Sequence, residues 1–177
     1  MSLKSNFELM ADYNQWMNKS IYDAAAKLSA EQLSGNIESF FGSIIGTLNH
    51  ILVGDIIWLK RIADHPSQLQ SLNYVRSLAA PQALNQILYT DLDSLLAART
   101  KMDGAILSFT QELSNEVLAS TLYYNSTKGD PYAKNMGHII QHFFNHQTHH
   151  RGQASALLYQ AGIDVGVTDL LAGIPDE

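Results

Sequence analysis

The chain has 177 residues, 46% of them hydrophobic and 16% charged, which suits one domain spanning residues 1–177 and excludes a disordered or solvating sequence. It has no cysteine, which excludes a disulfide scaffold, thiolate ligands and a cysteine nucleophile, so any transition-metal site must use nitrogen and oxygen donors. The net charge is −6 and Lys60-Arg61 is the only adjacent basic pair; no basic face concentrates phosphate-neutralising charge, so no nucleic-acid partner is expected.

The N-terminus, Met1 to Glu8, lacks the apolar core of a signal peptide, and no stretch approaches 18 consecutive apolar residues. A cytoplasmic protein with no membrane partner is expected. Leu3, Phe7, Met10, Tyr13 or Asn14, Met17, Ile21, Ala24 and Leu28 recur at steps of three or four, which predicts a helix over 3–28. Ser29 to Glu31 and Ser34 to Asn36 break it. Ser39 or Ser43 opens a second helix, whose apolar positions from Ile44 to Leu59 run on to about Ala63. His65-Pro66 ends it, because proline disfavours helix in the residue before it. Residues 66–80 read as a long polar connection.

Pro81 suits a first helical turn. A third helix is predicted over Ala83 to Leu113, with Leu84, Ile87, Leu88, Leu92, Leu95, Leu96, Met102 and Ile106 inward. Residues 114–131 read as an extended or hairpin-like crossover. A fourth helix is predicted from about Tyr132 to Ala161, closed by Gly162. The tail, Asp164 to Glu177, holds one short turn at Thr168 to Leu171. Four long helices with two long connections predict an all-α four-helix bundle that is not simply up-down-up-down.

Seven histidines occur, and five fall between positions 138 and 150. His138, His142, His146 and His150 recur every four residues, which stacks them on one helix face with β-carbons about 5–6 Å apart. That spacing lets two imidazole nitrogens reach one ion at about 2.0–2.1 Å. Without a metal, a helix burying several imidazoles must find a partner for every ring nitrogen, at about 1–3 kcal/mol for each failure. An exposed stripe titrating near neutrality is the other reading, and it suits His138 and His149. A third ligand must come from His50 or His65. His65 abuts Pro66 and reads as exposed, whereas His50 sits mid-helix among Ile44, Leu48, Ile51 and Leu52. Gly46 and Gly54 flank it, each costing about 1 kcal/mol relative to alanine in a helix interior, which points to close helix approach or to a cavity.

Thr47-Leu48-Asn49-His50-Ile51 with Asp55 and Trp58-Leu59, and Asn145-His146-Gln147-Thr148-His149-His150-Arg151-Gly152-Gln153, resemble the two signature segments of the DinB family. These are DinB/YfiT-like, damage-inducible metalloproteins. Tyr13 to Asn18 and Asp164 to Leu170 extend the likeness over nearly the whole chain. The resemblance implies an up-down-down-up bundle, a homodimer, a stress-response setting and one divalent ion held by His50, His146 and His150. It selects His146/His150 rather than His142/His146 as the pair, leaving His142 and His149 to supporting or surface roles. A salt bridge between Arg151 and Asp55 is a further expectation.

Three protein ligands leave a coordination position open. Zinc is the default for such a site, and nickel and iron also suit imidazole. An ion of this kind activates a bound water or thiol. The expected function is thiol S-transfer to electrophiles, with a low-molecular-weight thiol as the small-molecule substrate. A metal-dependent hydrolase and a non-catalytic metal-binding stress protein are the alternatives. The catalytic residues are unknown, since all six glutamates lie outside the two motifs. Thiol transfer needs less acid–base help, because the thiolate is itself the nucleophile.

Overall fold

A computed structural model describes residues 2–176. It is mostly helical, with seven α-helices and one small two-stranded hairpin among the described residues. Four of the helices are long: α1 (Leu3–Ala25), α3 (Ile44–Ala63), α5 (Leu92–Glu112) and α7 (Met136–Gln160). The short ones are α2 (Ala30–Ser34), α4 (Asn73–Ser77) and α6 (Asn115–Ala119), and the hairpin comprises β1 (Thr121–Asn125) and β2 (Pro131–Asn135). No helix among the described residues is long and apolar enough to cross a membrane.

Helix α1 packs against α5 and α7, and α3 packs against α7. Phe7 of α1 stacks on Phe144 of α7; together with Leu48, Leu52 and Leu59 of α3 and Ile106 and Phe109 of α5 they form the core. Start-to-end pairings fix the neighbours. Lys4 donates to the carbonyl of Gln111, so the start of α1 lies beside the end of α5. A β-carbon on Gly137 would meet Leu3, so the starts of α1 and α7 lie together.

Side chains set the helix starts. Ser2 and Ser29 form capping boxes on α1 and α2. Of the two serines considered for the second long helix, Ser43 is the cap: its hydroxyl accepts from Gly46 N at 3.0 Å. The first helix stops at Ala25 rather than residue 28, because Ser29 begins α2.

The third long helix begins at Leu92, not at Ala83. Asp91 accepts from Ser94 N and caps it. The amides of Leu88 and Tyr89 donate to the buried Asn49 side chain instead of to a helical turn. Leu84, Ile87 and Leu96, expected inward, are exposed. The connection over 66–80 is not simply polar. It folds into a 3₁₀ turn, Gln70–Leu72, and α4, and it buries Leu69, Leu72 and Val75.

The 114–131 crossover begins with α6 and continues into the hairpin, as the extended reading anticipated. The hairpin takes residues 131–135 as its second strand, so the last helix starts at Met136 rather than Tyr132, with Asn135 accepting from His138 N. Gly162, at φ +84°, terminates α7, and Ile163 N donates back to the carbonyl of Leu158. In the tail the turn falls at Leu170–Gly173. Tyr13 ties it down by donating to the carbonyl of Thr168 at 2.6 Å.

Candidate metal centre

His50, His146 and His150 each offer one ring nitrogen, and these atoms lie within 4.8 Å of one another. This is the trio that could hold a metal ion. Helix α3 supplies His50, and α7 supplies the other two one turn apart. The ring centroids stand 4.3 Å (His50–His150), 4.4 Å (His146–His150) and 5.3 Å (His50–His146) apart.

The outer nitrogens explain why the inner ones face each other. His50 Nδ1 donates to the carbonyl of Leu84 at 2.8 Å, which places its proton on Nδ1 and the lone pair on Nε2. His150 Nδ1 meets Gln153 Oε1 at 2.7 Å, with the same consequence. The two Nε2 atoms are 3.1 Å apart. Two lone pairs at that distance repel unless a proton or a cation lies between them. His146 Nδ1 is buried with no hydrogen-bond partner among the described residues, and leaving such an atom unpaired costs about 1–3 kcal/mol. A cation between the two Nε2 atoms answers the first fault.

Burial keeps the rings neutral, the form that binds metal. It is the main cause pushing His146 down to about 3, with the neighbouring histidines adding to it. His50 and His150 are lowered as well, chiefly by burial. Phe41, just ahead of α3, stacks on the His50 ring with centroids 3.9 Å apart and covers one side of the site.

Gly54 answers the question its helix-interior position raised. A β-carbon there would stand 2.5 Å from His146 Cε1, so glycine is what lets the imidazole lie against α3. At Gly46 the approach is to the carbonyl of Phe41. Close approach accounts for both.

The remaining histidines lie off the trio. His138 and His149 are exposed. His142 is also exposed and packs edge-on against Trp58. His65 is half-buried rather than exposed, and it bridges Ser67 and Ser120. The expected salt bridge between Arg151 and Asp55 is not formed. Asp55 accepts from Arg99 and from Gln147 Nε2, and Arg151 donates to Asn14 and Thr148. Arg99 also pairs with Asp103, so α1, α3, α5 and α7 share one buried polar network beneath the histidines.

Sequence reading missed Leu84, Gln153 and Phe41. Gln153 lies three residues after His150, within helical reach, and was legible as a partner; Leu84 acts through its backbone and left no signal. Beside the trio opens a cleft of about 270 Å³ lined by Trp58, Arg61, Tyr124 and Tyr132 among others.

The sequence profile of the DinB family matches residues 1–175. The chain belongs to the DinB family. It is similar to Protein DinB of Bacillus subtilis (strain 168), at 25% identity over 158 residues, covering 89% of this chain and 87% of that protein. No solved structure matches it. The DinB match takes in both histidine-bearing segments.

Proposed function

We propose that this DinB-family protein is a metal-dependent transferase that binds one divalent ion through His50, His146 and His150 and passes a low-molecular-weight thiol to an electrophile. The observation that carries the metal reading is the 3.1 Å approach of two imidazole Nε2 atoms whose other nitrogens are engaged by oxygen atoms. Donor atoms around a tetrahedral ion stand about 3.3 Å apart. One ring nitrogen from each of the three histidines already lies within 4.8 Å of the others. Zinc is the proposed metal on ligand type, with nickel and iron as the competitors.

When bound, such an ion would lower the pKa of a thiol in its open position. This chain's own residues orient the ligands and shield the site. Leu84 and Gln153 hold the tautomers of His50 and His150, Gly54 admits the His146 ring, and Phe41 limits water access. The choice of thiol transfer over hydrolysis is supported by the cleft lining, which includes no aspartate or glutamate. Asp55, the acid nearest the motif, is fully buried and occupied by Arg99 and Gln147. Hydrolysis would lack a carboxylate base, whereas a thiolate needs none.

The wider proposal is an up-down-down-up four-helix bundle, supported by the start-to-end pairings of α1 with α5 and start-to-start pairing of α1 with α7. It is also a cytoplasmic homodimer, supported by the exposed Trp16 and Leu96 on the α1 and α5 side. The test is elemental analysis of protein purified without nickel affinity, followed by assay of zinc-loaded protein with small thiols and an electrophile. One equivalent of metal, as purified or after zinc loading, and thiol-dependent product are expected. Metal at stoichiometry with water-dependent cleavage only would overturn the transferase reading, and no metal bound even after zinc loading would overturn both.

A further inference from the structure

Beyond the trio, the cleft runs along α3 to Arg61, whose surroundings differ from those of the neighbouring cations. Lys60 donates to the carbonyl of Arg76. Arg76 in turn donates to the carbonyls of Ala63 and Leu69 and to Asn73. Arg61 is half-buried, and its guanidinium rests 4.6 Å from the Trp58 ring centre and 4.9 Å from that of Tyr124. It has no hydrogen-bond acceptor and no acidic partner among the described residues. Stacking engages a face of the guanidinium and leaves its N–H edge available to solvent or a ligand. Its position in the last turn of α3 suits the helix dipole, which explains a positive charge there but not a missing acceptor.

The cleft's other lining residues reinforce the sign. His50, Gly54, Ile57, Leu84, Tyr132 and His146 are uncharged, so Arg61 is the lining's one permanent charge. Just outside, Lys134 lies over the Tyr132 ring at 5.4 Å, adding a second cation. No aspartate or glutamate lines the cleft itself, and Asp130, just outside it, is occupied at the hairpin turn, where its carboxylate accepts from Ser126 at 3.2 Å.

We propose that the cleft takes an elongated ligand with a terminal carboxylate, which Arg61 grips through its planar N–H edge while the other end reaches the histidine trio. One guanidinium matches the single charge and paired oxygens of a carboxylate. The length follows from the helix. Arg61 lies seven residues beyond Gly54 and eleven beyond His50, which is about 10 and about 16 Å along α3. Trp58, Tyr124 and Tyr132 supply the apolar wall between the two ends. This inference rests on the metal reading for the near end of the ligand and on Arg61 for the far end.

The experiment titrates zinc-loaded protein by calorimetry with 6-mercaptohexanoate and with 6-mercaptohexanol, in wild type, Arg61→Gln and Arg61→Lys. Zinc content and thermal midpoint are measured alongside. Wild type should bind the carboxylate at least tenfold more tightly than the alcohol. Arg61→Gln should erase that ratio with unchanged zinc content and folding, and Arg61→Lys should keep part of it. Equal affinities in wild type, or a ratio that survives in Arg61→Gln, would overturn the anion site while leaving the metal reading intact. A wild type without zinc overturns the metal reading alone if the carboxylate preference persists, and overturns both if neither compound binds.

Discussion

His50 Nε2 and His150 Nε2 stand 3.1 Å apart across the α3–α7 interface, and each ring is turned by an oxygen atom behind it. One hundred positions separate the two residues in the chain. Their approach depends on a loop carbonyl at Leu84 and a side-chain amide one turn along α7. Each of these contacts has a consequence that experiment reads directly.

His50→Ala removes the one α3 histidine of the trio. Bound zinc should fall by at least tenfold in affinity, while His138→Ala, on an exposed ring off the site, should bind as wild type does. Equal metal content in the two variants would show that the trio is not the site.

Gly54→Ala should act in opposite directions on metal and on helix. Alanine gains about 1 kcal/mol of helix propensity over glycine, and the atom it meets is on the movable His146 side chain. Metal-free Gly54→Ala should therefore melt at or above the wild-type temperature. The new β-carbon, 2.5 Å from where His146 Cε1 now lies, should displace the ring and weaken zinc binding by tenfold or more. Isothermal titration and thermal melts on one preparation check both signs.

Asn49→Ala should loosen the 81–91 segment. The Asn49 side chain accepts from the amides of Leu88 and Tyr89 and donates to the carbonyls of Ile45 and Tyr89. Losing these should cost about 1–3 kcal/mol in denaturant unfolding. Faster amide exchange at Leu88 and Tyr89 should accompany it, with weaker zinc binding because Leu84 no longer holds His50.

The stability of the metal-free protein should decline on the acid side. Burial holds His146 at about 3, against an ordinary value of 6.5 in the unfolded chain. Above 6.5 both states are neutral and the full stability is present. As pH falls from 6.5 towards 3 the unfolded chain binds the proton first, so stability is lost, by at most about 1.4 kcal/mol per pH unit for one histidine. His50 and His150 shift in the same direction. His146→Phe should flatten this slope in urea unfolding measured between pH 7 and pH 4.5.

Light scattering at micromolar concentration should give twice the chain mass. Trp16→Glu combined with Leu96→Glu should convert the protein to a folded monomer, because a carboxylate at an apolar contact loses its hydration. A wild-type monomer would end the homodimer proposal.

Much of this molecule was legible in the sequence by itself. Apolar steps of three and four located the four long helices, and the four-residue histidine spacing placed His146 and His150 one turn apart on one face. The motif-bearing segments carried the family resemblance. Those readings rest on local periodicity and on chemistry that neighbours in sequence share. Tertiary structure decided the rest. The pattern Leu84, Ile87, Leu88 has helical spacing, yet the segment is not helical, because Asn49, some 40 positions away, takes the amides a helix would need. Residues 131–135 pair with β1 instead of extending α7. Arg99, not Arg151, meets Asp55. Local spacing says which residues share a face. It does not say which distant donor satisfies a buried acceptor, since that depends on how the long helices pack.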